Sequence, residues 1–285
     1  REFLAKQTPG FSGADIANVC NEAALMAARH NKKFVEKQDF LDAIDRIVGG
    51  LEKKNLVMSL RDKRITAYHE AGHATVSWML EHANPLLKVT IIPRGKSLGA
   101  TWFLPEERHT LSREHMIHAM AVGLGRRVGE ELEFGIIDTG ALCDLEGVPK
   151  LAYAVVAYYG MSDKVGNKSY YDSSGQSDMG FTKPYSEQMA QLIDQEVDAL
   201  IKEAYQLASK VIGENMDGFR QLSEELLEKE TVFAEDLERI FNRRSMYDEN
   251  KEAEEAVEAK RKEEKGLAGS GPEDGVIAPE TAEQI

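Results

Sequence analysis

The residues with the most chemical content lie in one five-residue stretch, His69-Glu70-Ala71-Gly72-His73. On a helix, positions i and i+4 share a face one turn apart, so His69 and His73 can turn two imidazole nitrogens toward one zinc ion. Glu70 follows about 100° around the helix, beside the position such a site leaves open, where its carboxylate can take a proton from water. Bound zinc lowers the pKa of a water from about 15.7 toward about 7 and polarises a carbonyl in the same place. The chemistry expected of this segment is therefore peptide hydrolysis, with Glu70 as general base. The competing reading is two unrelated histidines on an exposed helix. It fits the surroundings poorly, because Tyr68, Ala71, Gly72, Ala74, Val76 and Trp78 make the segment largely apolar. A polar triad there is costly unless a metal satisfies it. Gly72 also costs about 1 kcal/mol against Ala within a helix, which points to a close approach by another element.

A catalytic zinc takes three protein ligands and keeps one position open. By chemistry the third can be Glu114, Glu130, Glu131, Asp138 or Asp144. Spacing does not choose among them, although Asp144 follows the turn-like Thr139-Gly140 and opens a predicted helix, a good place for a short carboxylate. His109, His115 and His118 invite a second metal site, for which a solvated helix face is the simpler account. Tyr158-Tyr159 and Tyr170-Tyr171 read as packing residues with hydroxyls near the surface.

These residues need elements to hold them, and the periodicity supplies a mainly α chain. Ser12 is a candidate N-cap, followed at helical spacing by Ile16, Val19, Cys20, Ala23, Ala24 and Ala27. A second helix begins near Val35-Glu36, carries Phe40, Leu41, Ile44 and Ile47 on one face, and stops at Gly49-Gly50. A short helical subdomain over 1–50 and a linker over 51–62 follow from this. The helix bearing His69 spans roughly residues 65 to 82 and stops before Asn84-Pro85. The β-branched run Lys88-Val89-Thr90-Ile91-Ile92 is the clearest strand. Helical stretches are expected at about 112–133, 145–159, 185–214, 217–228 and 234–243, with Asn167 to Lys183 as a surface excursion, which places the second unit over 63–247. The remainder, 248–285, turns to Glu, Lys, Ala and Gly with little to bury and reads as a disordered tail.

Composition excludes several classes. Among 285 residues, 42% are hydrophobic and 29% charged, enough for a core. The formal charge of −14, with no basic stripe, argues against nucleic acid as ligand. Two cysteines, Cys20 and Cys143, cannot make a disulfide framework and suit a reducing compartment. No run approaches the roughly 18 apolar residues of a membrane span, and no signal pattern is seen. The chain opens at Arg1 without Met, directly before Thr8-Pro9-Gly10-Phe11-Ser12-Gly13-Ala14-Asp15, and reads as a fragment of a longer protein.

Taken in order, these segments resemble the FtsH-type, membrane-bound, ATP-dependent zinc metalloproteases, including the AAA proteases of the mitochondrial inner membrane. The likeness runs from Thr8 to Phe241. It rests on Thr8 to Asp15 with Asn21-Glu22-Ala23-Ala24, on Ala67-Tyr68-His69-Glu70-Ala71-Gly72-His73-Ala74, and on Lys88 to Gly95. It continues through Gly125-Arg126, Glu130-Glu131-Leu132, Phe134-Gly135, Thr139-Gly140-Ala141, Asp144-Leu145 and Tyr159-Gly160-Met161-Ser162. The resemblance implies an AAA+ helical lid followed by a mostly helical, zincin-like peptidase domain with a small β element. It implies one Zn2+ per chain held by His69, His73 and Asp144, with Glu70 catalytic, and a backbone at Gly13 and Ala14 bordering a nucleotide. No G-x-x-x-x-G-K-[S/T] loop is present, so ATP and Mg2+ would belong only to the full-length parent. A homo-hexamer, unfolded or membrane protein substrates, and membrane attachment through further N-terminal segments are also implied. So is a place at the bacterial inner membrane facing the cytoplasm or, alternatively, at an organelle inner membrane on the matrix side. The lone strand from Val89 to Ile92 is expected at the cleft edge, able to pair with substrate backbone, or else is an ordinary core strand.

The chain departs from the family where Cys143 replaces the usual Asn or Asp, at Pro149, in Ala100-Thr101-Trp102-Phe103, and at Arg127 and Glu133. Cys143 reads as an inert buried thiol. Beside the proposed third ligand, Cys143 and Pro149 motivate a second reading, a catalytically inactive assembly or chaperone module of the same fold. A soluble zinc peptidase without an ATPase is disfavoured by the lid-like segment.

Overall fold

The computed structural model describes residues 2–8, 10–95, 97–104, 110–136, 142–171, 184–246, 248 and 252. The expected tail, apart from 248 and 252, and the second part of the 167–183 excursion lie outside them.

A short helix α1 (Glu2–Gln7), not expected from the sequence, precedes α2 (Gly13–Arg29) and α3 (Lys37–Gly49). Ser12 caps α2 reciprocally: its hydroxyl accepts from the Asp15 N–H, and the Asp15 carboxylate accepts from the Ser12 N–H at 2.9 Å. Gly50, at φ 85°, ends α3. Val19 and Ala23 of α2 and Ala43 and Ile44 of α3 form a small separate core.

The second unit is built around α4 (Leu60–Met79), capped by Ser59 through the Asp62 N–H. From Thr66 to Trp78 only His73 is not fully buried, so α4 is packed on all sides and shows no amphipathic stripe. It crosses α5 (Arg113–Phe134) closely enough that a Cβ at Gly72 would lie 2.4 Å from the Gly125 carbonyl oxygen, and one at Gly125 would lie 2.7 Å from that of Gly72. This is the close approach that Gly72 foreshadowed.

The strand expected at Lys88 to Ile92 is β1 (Leu86–Thr90), and it is not alone. β2 (Ala100–Phe103) and β3 (Thr231–Phe233) flank it in an antiparallel sheet of order β2-β1-β3. Val89 pairs with Thr101 on one side and Val232 on the other. Strand addition to β1 is thereby overturned, since both its edges are taken, and β2 is the outer strand on the cleft side.

The helix predicted at 145–159 begins earlier, as α6 (Leu142–Tyr153), and passes into a π-helical turn, Ala154–Tyr158. Pro149 is therefore two turns inside α6 and not in its first turn; it cannot donate to Leu145, and the helix carries that break. The long α7 (Glu187–Glu214), α8 (Met216–Lys229) and α9 (Ala234–Phe241) close the core, with α7 against α5 and α8 against α4. Among the described residues, no helix is long and apolar enough to cross a membrane.

Candidate active site

α4 brings His69, Glu70 and His73 to one end of a cleft, and the start of α6 brings Asp144 to meet them. One atom from each of His69, His73 and Asp144 lies within 4.8 Å of the others, and no other such group of His, Cys, Asp and Glu occurs among the described residues. Asp144 Oδ2 is 3.8 Å from His73 Nε2, so the proline two turns into α6 leaves this carboxylate within reach. Nothing is described of the Cys143 side chain.

The tautomers follow from the partners. His73 Nδ1 lies 2.7 Å from the Val122 carbonyl oxygen of α5. A carbonyl can only accept, so Nδ1 carries the proton and Nε2 keeps its lone pair. His69 Nδ1 faces Glu130 Oε1 at 3.5 Å, and its Nε2 faces Glu70 Oε1 at 3.4 Å. Both free nitrogens thus open toward the same space, from rings 5.2 Å apart at an interplanar angle of 77°. Burial, as the leading cause, holds both imidazoles below the usual histidine range, so they are neutral donors.

These donors fit zinc. Two neutral imidazoles and a carboxylate are its usual catalytic set, each with an orienting partner on its far side. Ideal tetrahedral bonds put ligand atoms about 3.3 Å apart, so the group, spread over 4.8 Å, would close by up to about 1.5 Å around an ion, within reach of side-chain rotation.

Glu70 is almost completely buried, and burial pushes its carboxyl up to about 8 against the opposing hydrogen bond from Thr101. The Thr101 hydroxyl of β2 donates to Oε2 at 2.8 Å, which leaves Oε1 on the side of His69 Nε2. β2 comes this near because Gly99 leads into it: a Cβ there would sit 2.9 Å from Glu70 Cγ.

The cleft, of about 1260 Å³, exceeds the usual small-ligand class of roughly 300–1,000 Å³ and has room for extended peptide. Ala100 and Thr101 line one wall, while Met116, Ala119, Val122 and Leu151 give an apolar recess.

Of the other candidate ligands, Glu130 stands behind His69, 3.2 Å from Arg126 Nε. Glu131 is exposed and holds the Tyr205 hydroxyl. Glu114 sits in the first turn of α5, outside the group, and Asp138 lies outside the described residues. His109 is likewise outside, while His115 and His118 stack on His82 with ring centroids 4.4 and 5.2 Å away. Stacked rings point their lone pairs along parallel planes, so they do not converge on an ion. Tyr158 packs edge-on against Tyr153 and Tyr171, whereas Tyr159 is exposed and lines the cleft. Gly13 and Ala14 open α2, in the first unit and outside this group. The sequence reading missed Thr101, Val122 and Arg126, for which only a three-dimensional contact carries a signal.

Comparison with known proteins gives two family matches and several relatives. The model of a family described as Peptidase family M41 matches residues 56–240, and that of an AAA+ lid domain matches residues 2–42. The chain is 58% identical over 257 residues to an ATP-dependent zinc metalloprotease FtsH of Parabacteroides distasonis, covering 90% of this chain and 37% of that protein. It is 46% identical over 282 residues to the FtsH of Rhodothermus marinus, covering 98% and 40% respectively. It is 47% identical over 251 residues to a mitochondrial inner membrane m-AAA protease component of Mus musculus, covering 86% and 31%. The chain thus spans two fifths or less of the length of these relatives.

Proposed function

The chain belongs to peptidase family M41, and from that membership we propose that it is the zinc endopeptidase portion of an ATP-dependent, membrane-anchored protease. The observation that carries the reading is the convergence of His69, His73 and Asp144 beside a buried Glu70. His69 and His73 would hold zinc through Nε2, and Asp144 through its carboxylate. When bound, zinc supplies Lewis acidity, acidifying water and polarising the scissile carbonyl.

The rest is done by the chain's own residues. Glu70 takes the proton of the attacking water at Oε1, since Oε2 is engaged by Thr101, and later hands it to the leaving amine. A divalent cation held by the neighbouring ligands would pull this raised carboxyl back toward the ionised form, as a base requires. Glu130 and the Val122 carbonyl fix the rings of His69 and His73. The outer edge of β2 is suited to align substrate backbone by strand addition, beside the apolar recess.

The proposed organisation is an AAA+ lid over 1–50, a linker over 51–62 and the peptidase domain over 63–247. In the parent protein, Gly13 and Ala14 would border ATP. A homo-hexameric ring would process unfolded or membrane proteins at a bacterial inner membrane, facing the cytoplasm; the mitochondrial relative keeps an organelle inner membrane open as the alternative. The test is Glu70→Gln. It is expected to keep one zinc per chain while cleavage of an unstructured peptide is abolished; full activity in that variant refutes the role of Glu70.

A further inference from the structure

The lid and the peptidase unit meet at β1 and β2. Lys88 of β1 is buried, its ammonium paired with the Asp45 carboxylate of α3 and 4.8 Å from the centroid of the Trp102 ring. Arg94 Nη2 lies 3.5 Å from the second Asp45 oxygen. Trp102 itself packs against the lid core of Val19, Ala23, Ala43 and Ile44, across the sheet from its own unit. Two main-chain bonds run alongside, Lys53 N–H to the Pro93 carbonyl at 2.9 Å and Gly95 N–H to that of Leu51 at 3.2 Å.

Side chains alternate along a strand, so Thr101, the neighbour of Trp102, faces the other way. There it donates to Glu70 Oε2. One peptide unit of β2 thus has the lid on one side and the general base on the other. Among the described residues, Trp102 Nε1 and Arg94 Nε are buried at this contact without an acceptor, an unfavourable term in the seam.

We infer that the lid positions Glu70 through β2, Asp45 holding Lys88 and Trp102 in place so that Thr101 stays against the base. A path then runs from Gly13 and Ala14 at the head of α2, through Val19 and Ala23, to Trp102, Thr101 and Glu70. The inference rests on the reading of Glu70 as base.

The experiment is a double-mutant cycle on the zinc-loaded chain, with kcat and KM measured separately on a short quenched fluorogenic peptide, and with zinc content and β2 amide hydrogen exchange read for each variant. Thr101→Val removes a hydrogen bond to a charged group and is expected to lower kcat about tenfold or more, with KM and zinc content unchanged. Asp45→Asn, on the lid, is expected to lower kcat about three- to tenfold and to speed exchange in β2. In the double variant kcat stays at the Thr101→Val level, because the lid acts only through that bond. Effects that multiply, or an Asp45→Asn variant with unchanged kcat, overturn the inference. Should Asp45→Asn not fold, the joint replacement Asp45→Leu with Lys88→Met is used in the same cycle, since replacing both partners of a buried ion pair by apolar residues is commonly tolerated. Glu70→Gln is measured alongside: if it stays active, the reading of Glu70 fails and the inference with it; if it is dead while the cycle multiplies, only the inference fails.

Discussion

Gly72→Ala isolates the helix crossing from the chemistry it supports. On propensity alone the substitution stabilises a helix by about 1 kcal/mol. Here the new Cβ meets the Gly125 carbonyl oxygen at 2.4 Å and its carbon at 2.8 Å. Ordinary contact needs about 1 Å more, and because both obstacles are backbone no side chain can swing aside. α4 and α5 must separate, at a cost of about 1–3 kcal/mol or more, and the steric term wins. Each kcal/mol lowers Tm by about 2–4 °C in a domain of this size. The separation also draws Val122 from His73 and Glu130 from His69, and disturbing such outer partners typically weakens metal binding about 10- to 100-fold. Gly213→Ala is the control, since nothing lies within 4 Å of its added Cβ on α7. It should stabilise by about 0.5–1 kcal/mol with zinc affinity unchanged. Thermal melts and competition against a chelator decide the matter; a Gly72→Ala protein as stable as Gly213→Ala, with native zinc affinity, refutes the reasoning.

Glu130→Gln removes the carboxylate behind His69 and should weaken zinc binding about 10- to 100-fold, while peptide cleavage at saturating zinc is largely retained; this is read by chelator competition and by rates at high zinc. Far from the site, two charge-assisted bonds from Arg239, at 2.9 and 2.7 Å, lead in holding the Glu225 carboxyl down to about 2. A carboxyl depressed on folding contributes stability above its unfolded pKa, near 4.5, and loses it as pH falls toward 2. Melts of Glu225→Gln should therefore lie below the parent at pH 7 and approach it at pH 2.5, with the difference at pH 7 kept small by the exposure of Arg239.

The helices and the His69–His73 pair were legible because their signals are local. The His69 to His73 spacing, the Ser12 cap and the apolar period of α7 each lie within one or two turns of chain. Strands β2 and β3 were not legible: four and three residues long, they become strands only by pairing with β1 across the fold. The same non-locality hid Thr101 and recast Glu130. As a bare carboxylate Glu130 was an acceptable ligand, and only the crossing of α4 on α5 puts it behind His69. The π-helical turn after Pro149 was missed because a proline forecasts a break but not the residue spacing that absorbs it.

The third ligand, Asp144, lies on α6 and the two imidazoles on α4, so an ion held between them would tie together positions 73 and 144 of the chain. In polymer terms that is a cross-link, and closing a loop of this length removes unfolded-state entropy worth about 4 kcal/mol at 25 °C. The tie is reversible and sensitive to acid, unlike a covalent bridge. α6 also packs on α5 and α7, so bound metal would add to that docking, and the metal content of a preparation would then tune how firmly the helix is held.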